Sequence, residues 1–391
     1  MKKSKGCREQ RQLSIYVHIP FCLQKCHYCD FLSFRVSEDE KKQYLMKLQD
    51  EIVFFACKYK GEIVTTIFFG GGTPTILKEE ELNDLLLTVK ESFTVAEDAE
   101  ITIEANPGTI SRQKLKCLRS AGFNRISIGL QSAQDKELIE LGRVHTYAEF
   151  MEGFRAAREA GFDNINIDLM SALPGQTMES YGETLTSVLA LRPEHISAYS
   201  LIIEEGTLFW DRYGDTTLHT EGYPLLPSED EERLMYQRTE DMLSKAGYER
   251  YEISNYARKG KECRHNSRYW QRKNYIGLGL GSSSCYDNVR WKNTDKMTLY
   301  LTGSPEQYQM EKTCLTMEEQ IEETLFLGLR LMEGVCLEEF LEKFGKNIHE
   351  MYPDVIDKYV SNGCLVIKDG RLKLSKLGID VSNLVMSEFL F

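Results

Sequence analysis

Three cysteines, at positions 22, 26 and 29, are the residues of this chain whose types and spacing speak most directly of chemistry. They follow an apolar strand inside the stretch 13–34. A short loop of this kind can aim several thiolates at one metal centre, as the ligand runs of iron–sulfur clusters do. No fourth cysteine is close, since the next is Cys57 in a predicted helix. Three protein ligands on a four-iron cluster leave one iron open, much as a catalytic zinc keeps one position for a reactant. The competing readings are three buried thiols or a Cys3His zinc knuckle using His18 or His27. A zinc site, however, ordinarily brings a second ligand pair some 12–20 residues on.

The elements that must position these groups are a repeated strand–helix series. After the cysteine loop, Ser37 and Glu40 form a capping box that opens a helix to about residue 59. Strands are predicted at 64–69, 100–104, 125–130, 164–170 and 195–203, each of the first four followed by a helical segment. With the first strand this makes six, and the alternation predicts a parallel sheet with right-handed crossovers. Six such units curl into an incomplete barrel, and in any such sheet the functional loops gather at the carboxyl ends of the strands. Gly70-Gly71-Gly72-Thr73, Glu104 and Gln131 lie at such ends, Arg143 in the loops beyond, and Asp168 on the fifth strand. The glycine run lets backbone approach a ligand closely, although a tight turn alone would also explain it. Each polar residue taken singly would also suit a solvated loop or a helix cap.

The 391 residues are 42% hydrophobic and 10% aromatic, with nine prolines, which describes a folded protein of one large domain and a smaller one. A net charge of −12 argues against a broad nucleic-acid surface. The basic start, Met1 to Lys5, runs into polar residues rather than an apolar core, so no secretory signal is expected. No transmembrane run approaches 18 apolar residues. Eleven cysteines, an odd number, fit reduced thiols and a cytoplasmic location. The expected divisions are a disordered lead-in at 1–12, a core at 13–227, a core extension at 228–303 and a C-terminal domain at 304–391. Within the extension, 248–257 reads as a strand and 277–284 as a glycine-serine loop. Helices at 317–332 and 337–344, then a hairpin turning at Asp369-Gly370, predict a winged-helix-like α+β domain.

The C-x3-C-x2-C run, with Tyr28 before its last cysteine, resembles the signature of the radical S-adenosylmethionine (SAM) family. The segments 15–22, 70–75, 104–107, 125–132, 142–145 and 173–177, with Asp168, together resemble the coproporphyrinogen dehydrogenase group of that family, over nearly the whole chain. That group includes HemN enzymes and HemW haem chaperones. The resemblance implies a partial (β/α)6 barrel of α/β class, with a [4Fe–4S] cluster on Cys22, Cys26 and Cys29. It implies that SAM is surrounded by Tyr16, Tyr28, Gly71, Gly72, Thr73, Glu104, Gln131, Arg143 and Asp168. The two carboxylates suit a ribose diol, the arginine a carboxylate, and Gln131 an amide contact. Reductive cleavage of SAM to methionine and a 5′-deoxyadenosyl radical is the chemistry such a pair supplies.

Two features separate the branches. The dehydrogenases resemble C-x3-C-x2-C-x-C and carry a longer N-terminal segment, whereas this chain has Phe31 at the fourth cysteine position and its first cluster cysteine at 22. His265-Asn266-Ser267-Arg268-Tyr269-Trp270 is similar to the haem-associated motif of the HemW branch. On that resemblance His265 is expected to ligate haem b, with Tyr269 and Trp270 covering the macrocycle. Without it, an anchored loop with a hydrogen-bonded histidine is the plainer reading. The chain departs from many relatives at Ala172, where they have glycine, and at Ser283-Ser284, where they have a His-Ser pair. The resemblance implies haem delivery to a respiratory acceptor protein. Oxygen-independent coproporphyrinogen III dehydrogenation and simple metal binding are the alternatives.

Overall fold

The computed structural model describes residues 11–214 and 222–390. Most of the expected lead-in, residues 1–10, lies outside the described residues, and Gln12 already belongs to the first strand. Six strands, β1 (Gln12–Ile19), β2 (Ile63–Gly71), β3 (Thr94–Ala105), β4 (Arg125–Gln131), β5 (Ile165–Ser171) and β6 (His195–Ser200), are hydrogen-bonded in that order, every neighbouring pair parallel. All seven positions of β4 are buried, as a strand covered on both faces must be. The helix Glu38–Lys58 begins on the predicted capping box of Ser37 and Glu40. Further helices at Glu79–Ser92, Arg112–Ala121, Tyr147–Glu159 and Met178–Leu191 return the chain from one strand to the next.

Strands between residues 249 and 314 lengthen this sheet at both edges. The segment expected as one strand at 248–257 is two: β7 (Glu249–Glu252) and β8 (Asn255–Ala257) form a tight hairpin, with β8 antiparallel to β6. At the opposite edge β9 (Tyr275–Leu278) pairs parallel with β1, followed by antiparallel β10 (Ser283–Tyr286), β11 (Val289–Asn293) and β12 (Gln309–Cys314). The stretch 277–284, expected as a loop, therefore holds parts of two strands. Its glycines lower strand propensity, which hides the strands from pattern reading. They are needed because a Cβ on Gly279 would lie 2.4 Å from the Tyr44 hydroxyl and 2.8 Å from the His18 carbonyl oxygen. Buried Glu51, on the first helix, accepts hydrogen bonds from Gly279 N (2.8 Å), Asn293 Nδ2 (2.7 Å) and the Tyr300 hydroxyl (2.7 Å), and so ties this turn to the barrel.

Residues from Ile321 to Phe389 form a second apolar core. Its first helix ends at Gly328, earlier than expected, and the helix Leu337–Phe344 follows β13 (Val335–Cys336). Strands β14 (Leu365–Lys368) and β15 (Arg371–Leu374) make the predicted hairpin, with Asp369 and Gly370 both left-handed (φ 53° and 71°) as a primed turn requires. A three-stranded sheet in the order β13-β15-β14 packed with these helices is the winged-helix-like arrangement. Among the described residues no helix is long and apolar enough to cross a membrane.

Ala172, just after β5, has φ 58°, a conformation that costs an L-residue roughly 1 kcal/mol and glycine little. Ala172→Gly is therefore expected to raise the unfolding midpoint in urea slightly, by about 0.5–1 kcal/mol of stability. A lowered midpoint would mean that the methyl group's packing outweighs the strain.

Candidate functional site: a cysteine-lined cavity at the strand ends

The carboxyl ends of β1 to β6 surround a cavity of about 340 Å³. All three cysteines reach it, and with them Tyr28, Gly71, Gly72, Thr73, Glu104, Gln131, Arg143 and Asp168. How the cysteine loop is placed follows from backbone contacts. Gly72 N donates to Ile19 O (2.9 Å) and Thr73 N to Phe21 O (2.8 Å), so the end of β2 is sewn to the start of the loop. The approach is close enough that a Cβ on Gly72 would meet Phe21 O at 2.7 Å and Cys22 Sγ at 3.0 Å. Gly71 has φ 110°, and a Cβ there would strike the His18 ring. The glycine run is thus demanded by geometry at both positions.

The charges face one another across the cavity. Arg143 donates to Gly129 O (2.7 Å) and to Cys26 Sγ (3.5 Å), and its Nε is buried with no partner. The Glu104 carboxylate accepts from Gly71 N (3.1 Å). Burial, then the nearby charge of Asp168, push its pKa up to about 8 against the opposing pull of the Gly71 N–H and Arg125. Asp168 is likewise raised by burial, although Asn166 and Ser197 hold its charged form in place. Gln131 has φ 71°, a strained backbone for a non-glycine residue, and its Oε1 accepts from the Tyr199 hydroxyl (3.3 Å).

Sequence reasoning missed the residues behind these groups. Asn166 Nδ2 donates to Asp168 Oδ1 (2.7 Å), and Asn166 Oδ1 is hydrogen-bonded to His195 Nδ1 (2.6 Å). His195 Nε2 is bonded in turn to the Tyr251 hydroxyl (2.8 Å). Tyr199, Ser127, Ser197 and Asn266 also line the cavity. The signal was register: Gly129, Asp168 and Ser197 are cross-strand partners on one level, so polar residues at that level of β4 and β6 share Asp168's surroundings.

Two expected site residues fall elsewhere. Tyr16 does not line this cavity; its hydroxyl is bonded to His18 Nδ1 (3.0 Å) and its ring faces a neighbouring hollow. His265 is 1% exposed, with Nδ1 bonded to the Thr66 hydroxyl (2.8 Å) and Nε2 to the Tyr269 hydroxyl (2.7 Å). Burial also lowers its pKa to about 3, so the ring is neutral. With both nitrogens hydrogen-bonded, the expected axial ligation would require this imidazole to give up one of these bonds. The motif's Asn266 reaches the cavity instead. Trp270 is covered by the Arg330 guanidinium at 4.4 Å. The zinc alternative is disfavoured for His18, whose Nε2 is held by Leu32 O (3.1 Å) and Nδ1 by the Tyr16 hydroxyl (3.0 Å), whereas the bond of His27 Nδ1 to Glu140 O (2.8 Å) leaves its Nε2 unoccupied. Among the described residues no three His, Cys, Asp or Glu side chains are grouped to hold a single metal ion.

The chain as a whole is similar to known proteins. The Radical SAM superfamily model matches residues 16–188, and that of the HemN C-terminal domain matches residues 315–381. The heme chaperone HemW of Lactococcus lactis is 36% identical over 97% of this chain and 98% of its own. That of Bacillus subtilis is 37% identical over 96% and 99%. The chain belongs to the HemW family. Its fold is also that of the coproporphyrinogen III oxidase HemN from Escherichia coli, a radical SAM enzyme, with a TM-score of 0.84 at 25% identity over 97% of this chain and 90% of that one.

Membership of this family implies a [4Fe–4S] cluster and SAM, and the residues present fit both. Three free cysteines open on one cavity. Two carboxylates, an arginine with an unpartnered Nε and a strained glutamine supply partners for a diol, a carboxylate and an amide edge.

Proposed function

We propose that this protein is a cytoplasmic haem chaperone that binds haem b, carries a [4Fe–4S] cluster on Cys22, Cys26 and Cys29 together with SAM, and delivers haem to a respiratory acceptor protein. The observation that carries this reading is likeness over nearly the full length of both chains to heme chaperones from several bacteria. Phe31, where the dehydrogenase branch has a further cysteine, supports it. When bound, the cluster and SAM supply one-electron cleavage of a sulfonium. The chain's own part is to hold and orient. Arg143 holds the carboxylate of SAM, Glu104 and Asp168 take the ribose diol, and Gln131 and Tyr199 fix the adenine edge, while Gly71, Gly72, Thr73 and Tyr28 shape the walls.

The near-superposable fold of HemN favours a second reading, oxygen-independent coproporphyrinogen III dehydrogenation. The test is an anaerobic assay of reconstituted protein with SAM, reductant and coproporphyrinogen III, paired with a hemin titration followed at the Soret band. A saturable haem complex without protoporphyrinogen is expected. Protoporphyrinogen formed over several turnovers would overturn the proposal.

A further inference from the structure

The turn that carries Arg143 is the ending of a short helix, Asp135–Glu140. Gly142 N donates to Ile139 O (2.9 Å) and Arg143 N to Leu138 O (2.9 Å), the pair of bonds that makes a Schellman ending, with Gly142 left-handed at φ 69°. The carbonyls of Glu140 and Leu141 are left without helical partners, as those of any last turn are. One residue of the cysteine loop takes both. His27 N donates to Leu141 O (3.0 Å), and ring Nδ1 of the same residue donates to Glu140 O (2.8 Å), a carbonyl that can only accept. Gln24 Nε2 adds a bond to Gly142 O (3.3 Å). The imidazole sits so near that a Cβ on Gly142 would lie 2.7 Å from its Cδ2 and 2.8 Å from its Nε2. From the far side buried Phe209 presses its ring to within 6.0 Å of the imidazole, and its N–H donates to His27 O (2.9 Å). Arg212, on the same helix Leu208–Tyr213, is paired with the Glu140 carboxylate (3.1 Å). His27 itself does not line the cavity.

Resting on the reading that this site binds SAM, we propose that His27 is a positioning residue: it fixes the spacing between the turn bearing Arg143 and the three cysteines, and so sets SAM affinity from outside the cavity. A guanidinium grips a carboxylate in a fork only over a narrow range of distance and angle. Arg143 gains that precision from what its turn is fastened to. Its side chain donates to Gly129 O (2.7 Å) and to Cys26 Sγ (3.5 Å), so it bridges β4 and the cysteine loop, and His27 makes the matching bridge from the backbone of the turn. Removing the imidazole frees Glu140 O and empties the space beside Gly142, which gives the turn slack. The cysteine loop keeps its own ties, because His27 N still reaches Leu141 O and the bonds of Gly72 and Thr73 hold the loop to β2. Loss of the ring is therefore felt at Arg143 and not at the thiols.

Iron content and SAM affinity, the latter by equilibrium dialysis of labelled SAM, separate these two consequences in full-length protein reconstituted anaerobically. His27→Ala is expected to keep wild-type iron and to bind SAM about five- to tenfold more weakly, the loss that follows from one hydrogen bond. His27→Asn sets an amide N–H where Nδ1 stood and is expected to restore affinity to within about twofold of wild type. A loop that merely collapsed would lose iron and affinity together. Wild-type affinity in His27→Ala, iron lost in step with affinity, or an asparagine variant as weak as alanine would each overturn the proposal. A wild-type protein that takes up iron and binds no SAM would instead remove the SAM-site reading on which it rests.

Discussion

Replacing Glu104 with glutamine is expected to weaken SAM binding 10- to 100-fold while making the empty protein more stable at pH 8. The two effects have one cause. In the free site the carboxyl is buried beside Asp168, and its pKa lies near 8 rather than 4.5. Between pH 4.5 and about 8 the unfolded chain has released this proton while the native chain keeps it, so native stability falls as pH rises through that window and levels off above it. One pKa unit is worth about 1.4 kcal/mol. Solvent screening in an open cavity leaves on the order of 2 kcal/mol of the full shift. Glutamine keeps an acceptor for Gly71 N and never ionises, so thermal melts of the cluster-free variant should lose most of this slope between pH 6 and 8. The lost charge-assisted bond to the ligand accounts for the affinity change at about 1.5–3 kcal/mol. A variant that binds SAM normally would remove Glu104 from the diol, whereas an unchanged pH profile would mean that the carboxyl is already ionised in the empty site.

Gly72→Ala is expected to cost the protein its cluster without unfolding it. The added methyl group would sit 2.7 and 2.9 Å from backbone atoms of Phe21, which cannot rotate away, and 3.0 Å from Cys22 Sγ. Relief requires the cysteine loop to move off the end of β2, breaking the pair of backbone hydrogen bonds that hold it there. Displacements of this kind are ruinous for a centre that needs three sulfurs at once. Iron content after anaerobic reconstitution should fall to less than half, with far-ultraviolet circular dichroism unchanged. Gly108→Ala is the control, because a Cβ there meets nothing closer than 3.9 Å. Full iron loading in Gly72→Ala would show that the loop has slack not evident from its contacts.

The alternation of strands and helices was legible in the chain because each strand of a parallel sheet is a continuous apolar run bounded by turn residues, and each crossover helix carries its own cap. The same locality made the cluster readable. Cys22, Cys26 and Cys29 are seven residues apart from end to end, and a short loop after a strand leaves them few arrangements. Glu104, Gln131, Arg143 and Asp168 could be placed together because strand ends in such a sheet converge. The Asp369-Gly370 hairpin was equally local.

What only the tertiary structure decided involves groups brought together from distant parts of the chain. The strands at 275–278 and 283–286 were obscured by the glycines that let Tyr44 and His18 approach them. Asn166 and His195 behind Asp168 became visible only through the register of neighbouring strands. Above all, His265 has the residue type and the neighbours of a haem ligand, yet Thr66 and Tyr269 occupy both of its nitrogens. Thr66 lies 199 positions away along the chain. Spacing reports which side chains a short segment can aim in one direction, but burial and the hydrogen-bond partners waiting there are set by the whole fold, and these determine whether an aimed side chain is free to bind.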